Sequence, residues 1–112
     1  MTGRSKIGDD TCWVIYLLVD PRVTSGRAQD EVRYVGFSVE ANDRLEIHIS
    51  DARNGSRLHC HRWIRQLLRD NMRPVVHVVD HGIGGAWQEA ERYWIRFYRE
   101  EVGANLTNMT DG

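Results

Sequence analysis

Residues 13–19, WVIYLLV, form an unbroken apolar run of aromatic, β-branched and leucine residues. Seven such residues, closed by Asp20-Pro21, read as a strand buried within a sheet. A buried strand needs layers packed over it, which sets an α/β, or α+β sandwich, architecture as the expectation. Residues 32–37 (VRYVGF) read as a second strand, most simply antiparallel to the first. Gly36 within it marks a close backbone approach or a bend. Residues 20–31 between them hold Pro, Gly, Ser and Asp with no period, and read as a long connecting loop.

The remaining elements follow from helical periodicity and punctuation. Residues 41–52 place Ala41, Leu45, Ile49 and Ala52 on one stripe, and Asn54-Gly55-Ser56 stops that helix. Residues 61–71 turn Trp63, Ile64, Leu67 and Leu68 inward, with Pro74 beyond the end. Residues 75–80 (VVHVVD) read as a third strand, the glycines at 82, 84 and 85 as a turn, and residues 86–102 as a last helix. The order β-β-α-α-β-α predicts a small three-stranded, mostly antiparallel sheet flanked by helices. At 112 residues one core is expected, over residues 12–112, after a flexible N-terminal tail at residues 1–11.

Composition excludes some classes. No apolar run approaches the roughly 18 residues that span a bilayer, so no membrane partner is expected. Cys12 and Cys60 are too few for a disulfide framework, and a reducing cytoplasm is the expected compartment. A net charge of −1 does not announce a nucleic-acid binder. However, Lys6 is the sole lysine, and arginine is the better two-pronged partner for phosphate.

Some residues stand where packing gives them no reason to stand. On the last helix Glu91 points with Trp87, Trp94 and Tyr98, away from Arg92, Arg96 and Arg99. A carboxylate on an apolar stripe must be paired, protonated or bound to a metal. A salt bridge to an inward arginine such as Arg44 is one reading, and a functional carboxylate is the other. Arg44 and His48 lie one turn apart, so a phosphate-binding fork sits beside a group that relays protons near neutral pH. Tyr16 and Tyr34 each lie in a strand, and a phenol becomes a base only with help from a cation or metal.

Taken together, these residues resemble the GIY-YIG nuclease domain, the catalytic domain of homing-endonuclease and phage-type enzymes. The family's first signature is matched by Val14-Ile15-Tyr16, with valine in the usual glycine position, and the second by Tyr34-Val35-Gly36. Arg44 and His48 match the arginine and the His or Tyr a turn later. Glu91 and Ile95 match the metal-binding glutamate and the isoleucine one turn beyond, and Leu106-Thr107-Asn108 matches the terminal Leu-x-Asn, with Asn105 as the alternative asparagine. The gap between the tyrosines exceeds the family's usual spacing because of residues 20–31.

The resemblance implies a metal-dependent DNA endonuclease, or the catalytic domain of a longer one, at the nucleoid of a bacterial or phage-infected cell. Glu91 would hold one Mg²⁺ or Mn²⁺. Arg44 would offset transition-state charge, Tyr16 would take the proton from the attacking water, and Tyr34 and His48 would orient or relay. Asn108 would fix the phosphate or a catalytic side chain. Which tyrosine acts as the base stays open.

Arg62, Arg65, Arg69 and Arg73 recur at helical spacing and form a ridge suited to a DNA backbone, although a solvated face has the same pattern. His59-Cys60-His61 has no partner motif for zinc. The glycines at 82, 84 and 85 fit no phosphate-loop pattern, so no nucleotide cofactor is expected. A non-catalytic DNA-binding module of the same fold and a protein-interaction domain stand as the alternatives.

Overall fold

A computed structural model describes residues 8–108. Its three strands are β1 (Cys12–Val19), β2 (Val32–Ser38) and β3 (Val75–Ile83), in the spatial order β2-β1-β3. Both pairings are antiparallel. The apolar run is therefore the central strand, and its alternate side chains enter two separate cores. Tyr16 and Leu18 join Ile49, Trp63, Ile64 and Leu67 from helices α2 (Ala41–Arg53) and α3 (His59–Arg69). Trp13, Ile15, Leu17 and Val19 join Ile95 and Ala104 on the other face, under helix α4 (Trp87–Arg96). The molecule is an α+β sandwich with helices on both faces of the sheet. Here α1 denotes the helical turn Ala28–Glu31.

The elements depart from sequence expectation at identifiable places. The loop at residues 20–31 is organised: Asp20 N–H donates to Glu31 O at 2.9 Å across its base, and α1 occupies its last turn. Buried Asp20 accepts hydrogen bonds from Arg22 and, at 3.3 Å, from Trp63 Nε1, which ties the loop to α3. The third strand continues through Gly82 to Ile83, where a turn was expected. Trp13 explains this: a Cβ on Gly82 would lie 2.4 Å from the Trp13 ring, so glycine lets that ring cross the strand. A 3-10 turn, Gly84–Ala86, then leads into α4.

The last helix is α4 followed by a π-helical segment, Phe97–Val102, that ends at Gly103 with φ 80°. Helix α3 runs from His59 to Arg69, beginning and ending two residues before the expected bounds, and Asn71 takes φ 59° just beyond its end. Of the expected tail, residues 1–7 lie outside the described residues. Residues 8–11 form a turn tethered to the fold, with Thr11 N–H bonded to Gly8 O and Gly84 N–H to Thr11 O.

An edge strand exposes unpaired backbone that invites other chains. Here the C-terminal segment covers part of the β2 edge. Thr107 N–H and Oγ1 both donate to Arg33 O. The Asn108 carboxamide pairs with both backbone groups of Val35, accepting from its N–H at 3.0 Å and donating to its carbonyl at 2.8 Å. Among the described residues no helix is long and apolar enough to cross a membrane.

Candidate functional site

Register places β1 and β2 side by side, with Tyr16 opposite Gly36. The absent Gly36 side chain is what the Tyr16 ring occupies. A Cβ there would lie 2.5 Å from Tyr16 Cζ and 2.8 Å from Tyr34 Cε2. Gly36→Ala is expected to displace two packed rings and to destabilise the fold by about 1–3 kcal/mol, the usual cost of overpacking. Urea unfolding measures it, and an unchanged midpoint would contradict the ring placement.

Helix α2 contributes Arg44 and His48 to this place because its stripe of Ala41, Ile49 and Ala52 is buried against the sheet. The Tyr16 hydroxyl and His48 Nε2 are 2.9 Å apart. The Tyr34 ring meets His48 edge-on at 5.1 Å between centroids. Arg44 is exposed at the helix surface, and its charge reaches Tyr16, Tyr34 and His48.

The two phenols are not equivalent. Tyr16 is 0% exposed, and burial drives its pKa far above the ordinary phenol range, with Tyr34 adding to the rise and Arg44 opposing it. Tyr34 is half-buried and pushed up to about 12, chiefly by burial, then by Cys60 and Glu91, with Arg44 opposing. His48 is held down at about 4 by burial, with Arg44 and His61 adding to the effect, so it is neutral at neutral pH.

Glu91 lies half-buried on α4, and its charge bears on Tyr34. It makes no ion pair or hydrogen bond with any other described residue, so of the two readings the salt bridge to Arg44 is not formed. Burial raises its pKa, with the Arg92 charge pulling the other way. Among the described residues no three His, Cys, Asp or Glu side chains gather to hold a metal. An ion at Glu91 would therefore rest on one carboxylate, completed by water and substrate oxygens. That is the habit of Mg²⁺, a hard ion that keeps most of its waters, and a half-buried unpartnered carboxylate fits it.

The asparagines separate as well. The Asn108 side chain is spent on Val35, between Tyr34 and Gly36, and so holds β2 in place. Arg99 donates to the Asn108 carbonyl at 2.9 Å. Asn105 lies in a different cleft, with Arg33, His59 and Arg62, and its carbonyl accepts from Arg33 Nε.

The arginine ridge divides in the same way. Arg65 donates to the carbonyls of Ala52 and Ser56 at the end of α2. Arg73 pairs with Glu46. Arg69 lines a cleft of about 510 Å³ with Arg53, Arg65 and Arg73, and no carboxylate lines it.

One participant was not singled out by sequence as part of this site. His61 Nε2 lies 2.9 Å from His48 Nδ1, and His61 Nδ1 lies 2.6 Å from Ser56 Oγ. The signal was available in the helical repeat: His61 shares the inward stripe of α3 with Ile64 and Leu68, a polar residue on an apolar face as Glu91 is on α4. Comparison with protein-family models, with curated proteins and with solved structures finds no match to this chain.

Proposed function

We propose that the chain is a metal-dependent DNA endonuclease domain of the GIY-YIG kind, hydrolysing a phosphodiester bond. The observation that carries the reading is the 2.9 Å contact of the Tyr16 hydroxyl with His48, under the charge of Arg44, with the unpartnered Glu91 carboxylate bearing on Tyr34. In this reading phenol, neutral imidazole, guanidinium and lone acid would supply base, relay, anion binder and metal ligand to one linkage, with Glu91 reaching it from α4.

Glu91 would hold Mg²⁺ or Mn²⁺, which when bound neutralises the scissile phosphate and the departing 3′ oxygen. Arg44 has no ion-pair partner among the described residues and would fork onto a phosphate oxygen. Tyr16 is fully buried, and the Arg44 charge bears on its phenol. In this reading a shift of Arg44 from the phenol to the phosphate would open the hydroxyl to the attacking water. Tyr16 accepts that water's proton as its own passes to His48. Tyr34, the outer phenol, orients substrate, and Asn108 holds the Tyr34–Gly36 backbone in position.

Backbone tracking falls to arginines without internal partners. Arg53 and Arg69 make no hydrogen bond or ion pair with other described residues, whereas Arg65 and Arg73 are committed. Arg53→Gln with Arg69→Gln is expected to flatten the salt dependence of DNA binding by about two units of log K per log salt, roughly 0.9 for each phosphate no longer neutralised. Fluorescence-anisotropy titrations at several salt concentrations read the slope, and a parental slope would remove these arginines from the DNA path.

Plasmid nicking with Mg²⁺, comparing the parent with Glu91→Ala, tests the central reading. The complete burial of Tyr16 favours one rival, a non-catalytic DNA-binding module of this fold. Salt-sensitive DNA binding by a parent that never nicks would establish that rival.

A further inference from the structure

We infer that His61 and Ser56 extend the Tyr16–His48 contact into a four-member proton wire, through which the proton taken from the attacking water leaves to solvent. This rests on the nuclease reading for its purpose, but the wire itself rests on geometry. Three consecutive contacts join Tyr16 Oη to His48 Nε2 at 2.9 Å, His48 Nδ1 to His61 Nε2 at 2.9 Å, and His61 Nδ1 to Ser56 Oγ at 2.6 Å. They cross from the buried face of β1 through α2 to α3 and end in the α2–α3 turn. Tyr16, His48 and His61 are 0%, 4% and 3% exposed, while Ser56 is half-buried at the surface.

The direction of the hydrogen bonds follows from donor and acceptor counting. A neutral imidazole has one N–H and one bare nitrogen. The facing pair, His48 Nδ1 and His61 Nε2, must therefore be one donor and one acceptor, which forces both rings into the same tautomer. Arg44, the cation that bears on Tyr16, can only donate. His48 Nε2 is the one acceptor that the described residues bring to the Tyr16 hydroxyl, so the phenol donates to it. Both rings then carry the proton on Nδ1, and His61 donates to Ser56. Ser56 Oγ also accepts from Leu58 N–H at 3.3 Å, so both of its lone pairs are engaged and its own hydrogen has no acceptor among the described residues.

A wire of this polarity moves a proton without charging any member. As the water oxygen bonds to phosphorus, its O–H breaks and the proton goes to Tyr16 Oη. The phenol's hydrogen passes to His48 Nε2, the His48 Nδ1 hydrogen to His61 Nε2, and the His61 Nδ1 hydrogen to Ser56 Oγ. The serine's original hydrogen goes to bulk water. One proton is released, one hydroxide equivalent stays on phosphorus, and all four side chains end neutral. The rings return to their starting tautomers by exchange through the two ends between turnovers.

This accounts for a phenol that burial prevents from holding a negative charge, and it requires both imidazoles to be neutral. Burial holds both below the ordinary histidine value; around them Arg44 and Arg65 add to this, and Asp51 opposes it. His61 acts through His48 and is a positioning residue that also passes the proton on.

The test uses the full chain with ¹⁵N-labelled histidine and two variants, His61→Gln and Ser56→Ala. Two-bond ¹H–¹⁵N spectra at pH 7 are expected to show His48 and His61 neutral and both protonated on Nδ1. Unlike tautomers, or a charged ring, would overturn the wire, and this readout needs no cleavage, so it separates failure of the wire from failure of the nuclease reading. Glutamine offers one acceptor and one donor but does not shuttle protons. His61→Gln is therefore expected to keep the His48 tautomer and KM while kcat falls by about 10²-fold. Ser56→Ala, which removes the exit, is expected to lower kcat in the same way. Parental kcat in His61→Gln, with its fold intact, would overturn the proposal.

Discussion

Glu91→Gln is expected to abolish Mg²⁺-dependent nicking, by about 10³-fold or more, while raising the melting temperature. The two effects have one cause. Glu91 is half-buried on α4 and has no ion pair or hydrogen bond with another described residue, and burial raises its pKa against the pull of Arg92. A carboxyl whose folded pKa lies above its unfolded value favours folding while protonated, and that contribution is lost as pH rises through the folded pKa. Above the unfolded pKa the upward shift therefore works against folding, and the neutral isostere relieves it. The same charge is what would hold the metal. Several kcal/mol of transition-state stabilisation go with a metal, and each 1.36 kcal/mol is tenfold in rate. Nicking assays and thermal melts, with and without Mg²⁺, read both effects. Mg²⁺ is expected to raise the melting temperature of the parent and to leave that of Glu91→Gln unmoved. Parental nicking by Glu91→Gln would remove the carboxylate from the chemistry.

Tyr16→Phe is expected to lower kcat by about 10²–10⁴-fold, the range of a general acid–base contribution. Unlike Glu91→Gln, it is also expected to destabilise the protein, by about 1–3 kcal/mol. The phenol is fully buried and its hydroxyl is the partner of His48 Nε2, so phenylalanine leaves a buried ring nitrogen unsatisfied. Tyr34→Phe supplies the control. The Tyr34 hydroxyl has no hydrogen bond to another described residue, so its removal is expected to change stability little and to affect KM more than kcat. Urea unfolding and steady-state cleavage separate the two tyrosines. Equal losses from both would contradict an inner base and an outer positioning group.

The local readings held where a few neighbours settle the matter. The run at residues 13–19 is a central strand because every alternate side chain is apolar on both sides, whatever it pairs with. Glu91 could be singled out because helical periodicity alone puts it among aromatic residues. The arginine ridge shows where spacing stops informing. Spacing sets Arg62, Arg65, Arg69 and Arg73 at helical intervals, but α3 ends at Arg69, Arg65 caps the end of α2 and Arg73 binds Glu46. Spacing reports what shares a face and not what that face meets.

The sequence alone determined the three strands, the helices between them and the polar residues standing on apolar stripes. Each of those depends on repeats of two or 3.6 residues, which are local properties of the chain. Only the tertiary structure decided that β3 runs on beneath Trp13, that Asn108 closes on Val35, and that Tyr16, His48, His61 and Ser56 form one line. Those contacts join side chains whose separation is set by strand register and helix packing. A hydrogen bond at 2.9 Å is won or lost by shifts smaller than one residue, finer than any sequence pattern resolves.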